Sequence, residues 1–230
     1  MQIPYVEKLL VGKVKQVGDP DASNPLDKQW ESGMFKTDTT NNIWLSEIGL
    51  KGDEVADKKN HGGPEKAVFA YSVSHYDYWQ NEQGIESIGI GGMGENLAVE
   101  FMDENSVCIG DTYQFGESII QVSQPRRPCW KPARRHRTLD LAVQIQETGR
   151  TGWYFRVLKE GVVHGGEKLT LLERPYPEWT IASCNEVMYE KKGDLKLAEE
   201  LASCEFLAES WKETLRKRLA GKRVFGPNKD

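Results

Sequence analysis

The sequence predicts an α+β fold that is mainly β, in which a closed or strongly bent sheet precedes a small C-terminal extension of three helices. Short β-rich runs punctuated by glycine fill the chain up to Glu173, and a helical pattern begins after Pro177. Many short strands with frequent turns favour a barrel-like sheet over a repeated βαβ unit. With 230 residues, 38% of them hydrophobic, the chain can bury one good core. We therefore predict a β domain of residues 1–175 and a helical domain of residues 176–230.

Five runs rich in β-branched and aromatic residues are predicted to form the strands. They span residues 66–72, 95–101, 107–115, 118–123 and 168–173. Two helices interrupt these strands. The first follows Ser74, whose hydroxyl can cap it, with Asp77 three residues later. The second runs from about Leu139 to Thr148 and stops at Gly149.

Three short helices are predicted after Pro177. Ser183 and Glu186 have the spacing of a capping box, and Asp194 is placed to cap the second helix. The third helix runs over about residues 210–220 and ends at Gly221. Because such a unit buries little surface alone, we expect it to pack on the β domain or on a partner.

Composition predicts a cytoplasmic protein with no membrane partner. The sequence has no N-terminal export signal and no apolar stretch that approaches the roughly 20 residues needed to cross a bilayer. Its four cysteines are far apart and form no C-x-x-C pair, which excludes a local zinc knuckle or dithiol redox motif. A cysteine that carries chemistry here would therefore act alone.

A basic segment surrounds one of these cysteines. Residues 123–139 contain six Lys or Arg and no Asp or Glu, in a chain whose net charge is −5. Cys129 lies inside this segment, and three prolines nearby restrict its backbone. Neighbouring positive charges stabilise a thiolate, the form of cysteine that binds metals and attacks electrophiles. Cys129 is therefore a candidate ligand or nucleophile.

The charge distribution favours a site for a small anion. A basic patch on an acidic protein fits a small ligand better than a nucleic acid, which usually needs a basic surface over much of a domain. A solvated basic loop around a buried cysteine is an equally open interpretation at this point.

Two glycine-rich segments add further candidates. His61, Gly62 and Gly63 follow two lysines, and paired glycines let backbone N–H groups approach a phosphate. A turn histidine bonded to backbone explains His61 equally well. Residues 89–94 superficially resemble a dinucleotide-binding turn, but they lack its strand-to-helix context and are predicted to form a flexible loop. Glu95 and Asn96 then place a carboxylate and an amide just before a strand, where a local turn is the alternative explanation.

Taken in order, four segments resemble the successive motifs of the MOSC superfamily. They are GLKGDEVADKKNHGGPEKA (49–67), GENL (94–97), IGD (109–111) and IIQVSQPRRPC (119–129). The resemblance is greatest to the bacterial YiiM type and covers nearly the whole chain, because that subgroup also carries a short helical C-terminal extension. It implies a β-barrel-like domain that binds the molybdenum cofactor, with Cys129 as a protein ligand to molybdenum.

The resemblance also implies pocket positions, and the remaining site residues are our additions from charge and adjacency. The positions implied by the family are His61, Gly62, Glu95, Asn96 and Arg126. Our additions are Lys59, Arg127 and Trp130, of which Trp130 could stack on a heterocycle or lie in the core.

The function that the resemblance implies is reduction of N-hydroxylated compounds, typically purine base analogues such as 6-hydroxylaminopurine. We expect two-electron oxygen-atom transfer to molybdenum, with Glu95 or His61 as the proton donor. No flavin, haem or iron–sulfur motif is visible, so a separate electron-donor protein is expected. A cofactor carrier or sulfur-transfer protein is the alternative, and RNA binding by the basic loop is a third interpretation.

Overall fold

The computed structural model describes residues 2–222, which form thirteen β-strands in three sheets. The strands are β1 (Tyr5–Val11), β2 (Lys15–Val17), β3 (Trp30–Ser32), β4 (Thr37–Asp38), β5 (Ile43–Ser46), β6 (Gly49–Leu50), β7 (Val68–Ser72), β8 (Leu97–Glu100), β9 (Thr112–Phe115), β10 (Ser118–Pro125), β11 (Trp153–Lys159), β12 (Gly161–Val163) and β13 (Leu169–Glu173).

The largest sheet has eight strands in the order β13-β9-β10-β11-β7-β8-β1-β4. All neighbours in it are antiparallel except β7 and β8, which are parallel. Val6 N donates to Glu167 O at 2.9 Å, and Leu169 N donates to Pro4 O at 2.9 Å. These bonds join β1 to the start of β13, so the curled sheet meets itself. The predicted α+β, barrel-like architecture is therefore confirmed.

Seven α-helices accompany the sheets within residues 2–222. They are α1 (Lys58–His61), α2 (His75–Asp77), α3 (Trp130–His136), α4 (Leu141–Thr148), α5 (Ile181–Asn185), α6 (Leu195–Ser203) and α7 (Glu209–Leu219). A 3-10 turn covers Pro64–Lys66, and π-helical turns extend α2 over Tyr78–Glu82 and α5 over Glu186–Glu190. No helix in this described part of the chain is long and apolar enough to cross a membrane.

All five predicted strand runs contain a strand, but only the second half of run 107–115 is extended. Cys108 N donates to Asp111 Oδ2 at 2.9 Å, and Gly110 adopts a φ of 82°. This Asp-closed turn, which glycine accommodates without a Cβ clash, delays the strand to Thr112. The strands before residue 51 were not predicted, and neither were β11 and β12. Most of these missed strands have only two to four residues and show no periodic pattern, but β1 and β11 have seven residues each.

The residues that cap the N-termini of α5 and α6 were predicted correctly for one helix and wrongly for the other. Thr180, rather than Ser183, caps α5, because its hydroxyl accepts from Ser183 N at 3.0 Å. The predicted capping box of Ser183 with Glu186 is therefore wrong. The predicted cap at Asp194 is confirmed, since its carboxylate accepts from Leu197 N at 3.0 Å.

Two interrupting helices occur where they were predicted. Ser74 precedes α2, but its Oγ lies 2.9 Å from Ser72 Oγ and forms no cap bond. Helix α4 ends at Gly149, whose φ of 69° is the left-handed conformation that glycine tolerates.

The C-terminal helices share one hydrophobic core with the curled sheet. Trp211 and Leu215 of α7 are fully buried in that core. Ala208 N donates to Ser123 O on β10 at 2.9 Å. Arg127 Nη2 donates to Ser210 O at 3.0 Å and to Thr214 Oγ1 at 2.7 Å. The helical extension therefore packs on the β domain, which is one of the two outcomes expected from its small size.

Candidate functional site

An open cavity lies near the starts of β7, β8 and β11 and the end of β10. Its empty volume is about 780 Å³, part of which is open to solvent. Its walls are formed by residues of several segments, namely residues 32–34, 36, 48–50, 53–57, 61, 66, 67, 69, 93, 94, 96, 126, 129, 131, 132 and 154. A concave space lined by both apolar and polar groups is the usual form of a site for a small ligand.

Cys129 lies on the wall of this cavity, in the loop that links β10 to α3. It is the residue before the first turn of α3, and its side chain makes no capping hydrogen bond. The residue is half-buried and lines the cavity. Arg126 Nη2 lies 3.9 Å from Cys129 Sγ and places a positive charge beside the thiol. The local chemistry therefore fits a sulfur ligand facing the cavity.

Arg126 is the buried cation of the cavity wall and is 4% exposed. Its guanidinium lies 5.1 Å from the centre of the Phe69 ring, which holds it from one side. Its Nη1 is buried without a hydrogen-bond partner, and within residues 2–222 no carboxylate forms an ion pair with it. An unpaired buried charge is costly, so an anion entering the cavity would be stabilised here.

His61 is neutral at physiological pH. Burial lowers its pKa to about 4, and the charges of Arg126 and Lys131 lower the pKa further in the same direction. Lys66 also lines the cavity, and burial, followed by the charge of Arg127, lowers its pKa. Three cations on the wall, Lys66, Arg126 and Lys131, therefore concentrate positive potential around Cys129, as expected for an anion site.

A buried ion pair stiffens another part of the wall. Lys36 Nζ pairs with Asp53 Oδ1, and the two side chains are only 6% and 9% exposed. Asp53 also accepts from Gly12 N and from Asn96 Nδ2, each at 2.9 Å. Asn96 Oδ1 in turn accepts from Phe69 N at 3.1 Å. The side-chain amide of Asn96 is therefore bonded to other residues of the cavity wall, on which Asn96 itself also lies.

Glu95 is outside the cavity wall, unlike its neighbour Asn96. Its side chain is fully buried and accepts from the Tyr76 hydroxyl and from Gly91 N at 2.6 Å. Burial raises the pKa of the Glu95 carboxyl. Arg135 Nη1 donates to Gly91 O at 2.6 Å and Gly92 N donates to Gly89 O at 2.6 Å, so residues 89–94, which were predicted to form a flexible loop, contain a hydrogen-bonded turn. The Glu95 carboxylate is therefore bonded to this turn and does not line the cavity.

The other predicted site residues also lie away from this cavity. Lys59 is exposed, and Gly62 follows α1 without contributing to the wall. Arg127 is bonded to α7, as described above. Trp130 lines a neighbouring cleft that shares Cys129 and His61 with the cavity. The structure thus brings together Cys129, His61, Asn96 and Arg126 and separates the remaining predicted residues from them.

Two residues of the cavity wall carried no signal in the sequence. Tyr154 lies in an aromatic run that is typical of a core strand, and burial raises its pKa to about 12 although the charge of Arg126 opposes the shift. Lys36 is an isolated lysine whose partner is distant in sequence. Only the tertiary fold brings either residue to the cavity.

Family searches match residues 57–170 to the MOSC domain and residues 179–222 to the YiiM-like, 3-alpha helix domain. The chain is also 36% identical over 194 residues to Protein YiiM of Escherichia coli, covering 83% of this chain and 86% of that protein. The chain belongs to the YiiM-type MOSC family. The resemblance found in the sequence is therefore confirmed.

Other members of the YiiM-type MOSC family and one larger protein are also similar. The Uncharacterized protein YflK of Bacillus subtilis is 37% identical over 202 residues, which cover 88% of this chain and 91% of that protein. A protein named Reductase from Gibberella moniliformis is 38% identical over 176 residues, covering 75% of this chain but only 31% of the fungal protein. The crystal structure of YiiM from Geobacillus stearothermophilus has a TM-score of 0.78 at 33% identity and covers 94% of this chain and 99% of its own.

Proposed function

We propose that this protein is a molybdenum cofactor-dependent reductase of N-hydroxylated compounds, with N-hydroxylated purines as its characteristic substrates. The observation that carries the proposal is the half-buried Cys129 on a cavity wall beside Arg126, whose buried Nη1 has no partner. The reaction converts R–NH–OH, two electrons and two protons into R–NH₂ and water. When bound, the molybdenum centre supplies the two-electron chemistry that removes the hydroxyl oxygen.

The residues present fit such a cofactor. A thiolate is a soft ligand that suits a metal already held by sulfur, and Cys129 can provide it. The cofactor's phosphate needs charge-assisted hydrogen bonds, for which Arg126, Lys66 and Lys131 lie on the same cavity wall. We therefore assign metal binding to Cys129 and phosphate binding to these three side chains.

We assign the supply of protons to Lys36, which lines the cavity. Glu95 does not reach the cavity, and a pKa of about 4 leaves His61 unprotonated at neutral pH. Burial lowers the pKa of Lys36 below that of a free lysine, although Asp53 opposes the shift. Lys36 Nζ therefore holds a proton that it releases more readily than an exposed lysine does, and neutral His61 contributes a hydrogen bond.

Electrons are proposed to come from a separate reductase protein. The fungal relative supports this proposal, because its matched segment is joined to a much longer chain that is named a reductase. A cofactor carrier or sulfur-transfer protein remains the second candidate. The open cleft beside Cys129 favours the reductase, since a carrier needs no room for a substrate.

The first test is turnover. Protein loaded with cofactor in a competent host and supplied with reduced viologen is expected to convert 6-hydroxylaminopurine to adenine, as followed by chromatography. Loaded protein that reduces no N-hydroxylated purine or amidoxime, yet transfers its cofactor to a second apo-enzyme, would establish the carrier function instead.

The second test concerns the anion site. Arg126→Ala should weaken cofactor binding by about 1.5–3 kcal/mol, the usual contribution of hydrogen bonds to a charged group. Arg126→Glu should weaken it further, because repulsion replaces the lost attraction. Molybdenum and pterin contents of the purified variants measure the effect. Lys59→Glu is the matched control, since Lys59 is exposed and off the cavity wall. An equal loss in Lys59→Glu would show that only the net charge matters.

A further inference from the structure

A second cleft adjoins the cavity across Cys129. Its empty volume is about 1120 Å³, including its open mouth. Ala56, Asp57, His61, Cys129 and Lys131 line both the cleft and the cavity, so they form a shared wall. A group bound in the cleft and a cofactor bound in the cavity would therefore both lie next to Cys129. We refer to this second space as the outer cleft.

Two tryptophans form the aromatic side of the outer cleft. Trp30 comes from β3 and Trp130 from the first turn of α3, and their ring centres lie 5.4 Å apart at an interplanar angle of 62°. Phe35 packs on Trp30 with ring centres 5.7 Å apart. Both tryptophans are half-buried, so part of each ring remains available. Two partly exposed indoles in an open cleft are suited to stacking on a flat ring.

Arg134 fixes the two indoles relative to each other. Its guanidinium carbon lies 5.4 Å from the centre of the Trp30 ring and 5.2 Å from that of Trp130. Its Nη2 donates to Lys28 O, which ties the arginine to the loop before β3. Because α3 and β3 are far apart in sequence, this cation–π bridge organises an aromatic surface that neither element has alone.

Acceptor groups also line the outer cleft. Glu31 and Asp57 supply carboxylates there, and Asn60 adds an amide. Asp57 is held in place, since its Oδ1 accepts from Asn60 N at 3.0 Å and its Oδ2 from Asn60 Nδ2 at 2.8 Å. The ligand chemistry that fits is a planar heteroaromatic ring whose N–H groups donate to acceptors while its faces contact indole.

We propose that the outer cleft is the substrate subsite, in which Trp30 and Trp130 select planar heteroaromatic substrates and direct the reactive nitrogen substituent to Cys129. This inference rests on the proposed function and adds the location and the selecting residues. It also explains why Trp130 lies next to Cys129 in sequence yet outside the cofactor cavity.

Binding of adenine, the reaction product, tests the subsite without turnover. Calorimetric titration of adenine into cofactor-loaded protein should show dissociation constants about tenfold higher for Trp30→Leu and Trp130→Leu, the usual consequence of losing one stacking side chain. Trp30→Phe should retain most of the affinity, because it keeps a stacking face. Trp44→Leu is the matched control, since Trp44 is partly exposed on β5 and lines neither space. Unchanged adenine affinity in both leucine variants would overturn the proposal, provided that circular dichroism shows folded proteins.

Selectivity separates the subsite from the proposed function. The preference, as the ratio of kcat/KM values, for 6-hydroxylaminopurine over the small aliphatic acetamidoxime should fall about tenfold in Trp30→Leu and stay constant in Trp44→Leu. An unchanged ratio in Trp30→Leu would refute the subsite while leaving the reductase function intact. Wild-type protein that reduces neither compound but binds adenine through the tryptophans would refute the function alone.

Discussion

Cys129→Ser is expected to abolish molybdenum retention and reductase activity without destabilising the fold. A serine hydroxyl is a poor ligand for a soft metal, and it cannot supply the thiolate that the cavity offers beside Arg126. Cys129 is also the residue that precedes α3, where it makes no capping bond. Serine is a preferred capping residue, so the substitution can add about 0.5–1 kcal/mol of stability rather than remove it.

Metal analysis and thermal unfolding of the same preparations check this prediction. Cys204→Ala is the matched control, because Cys204 is 3% exposed in the shared hydrophobic core and remote from the cavity wall. It should keep its molybdenum and lose about 1 kcal/mol of stability from the reduced packing. Cys184 is buried in the same core, and Cys108 is buried outside that cluster at 2% exposure. Both should behave likewise. A full molybdenum content in Cys129→Ser would contradict the ligand assignment.

Strands such as β7 and β10 were predicted because their runs show β-branched and aromatic enrichment, whereas β1 and β11 were missed although each has seven residues. The other missed strands include very short ones such as β4 and β6, which have two residues each. Those segments are extended because tertiary contacts hold them, a contribution that local propensity does not contain. The predicted start of the strand in residues 107–115 was wrong for a related reason. The apolar residues there favour an extended chain, but the hydrogen bond from Cys108 N to Asp111 Oδ2 closes a turn instead.

Only some of the predicted site residues lie on the cavity wall, because adjacent residues of extended chain point to opposite sides. Glu95 and Asn96 precede β8, and only Asn96 reaches the cavity while Glu95 reaches Tyr76. Arg126 and Arg127 follow β10 in the same way, so Arg126 faces the cavity and Arg127 faces α7. The family motifs contain both residues of each adjacent pair, and the sequence does not indicate which of the two faces the cavity.

Asp53→Ala is expected to lower the free energy of unfolding by about 3–5 kcal/mol, the usual consequence of removing one partner of a buried ion pair. The substitution leaves the Lys36 ammonium without its counter-charge in a position where the side chain is 6% exposed. It also removes the acceptor of Gly12 N and of Asn96 Nδ2, and an unpaired buried donor carries its own desolvation cost. Urea unfolding followed by circular dichroism measures the difference.

The chain offers a matched control for this prediction in a second Lys–Asp pair. Lys8 Nζ lies 2.9 Å from Asp38 Oδ2, but these side chains are 42% and 37% exposed. Asp38→Ala should therefore cause little change, because water solvates the lysine that remains. In the double variant Lys36→Met with Asp53→Leu, no buried charge is left unpaired, so it should recover part of the stability that Asp53→Ala loses. Equal losses in Asp53→Ala and Asp38→Ala would show that burial does not determine the strength of the Lys36–Asp53 pair. The cavity wall would then owe its rigidity to the backbone bonds around Asn96 instead.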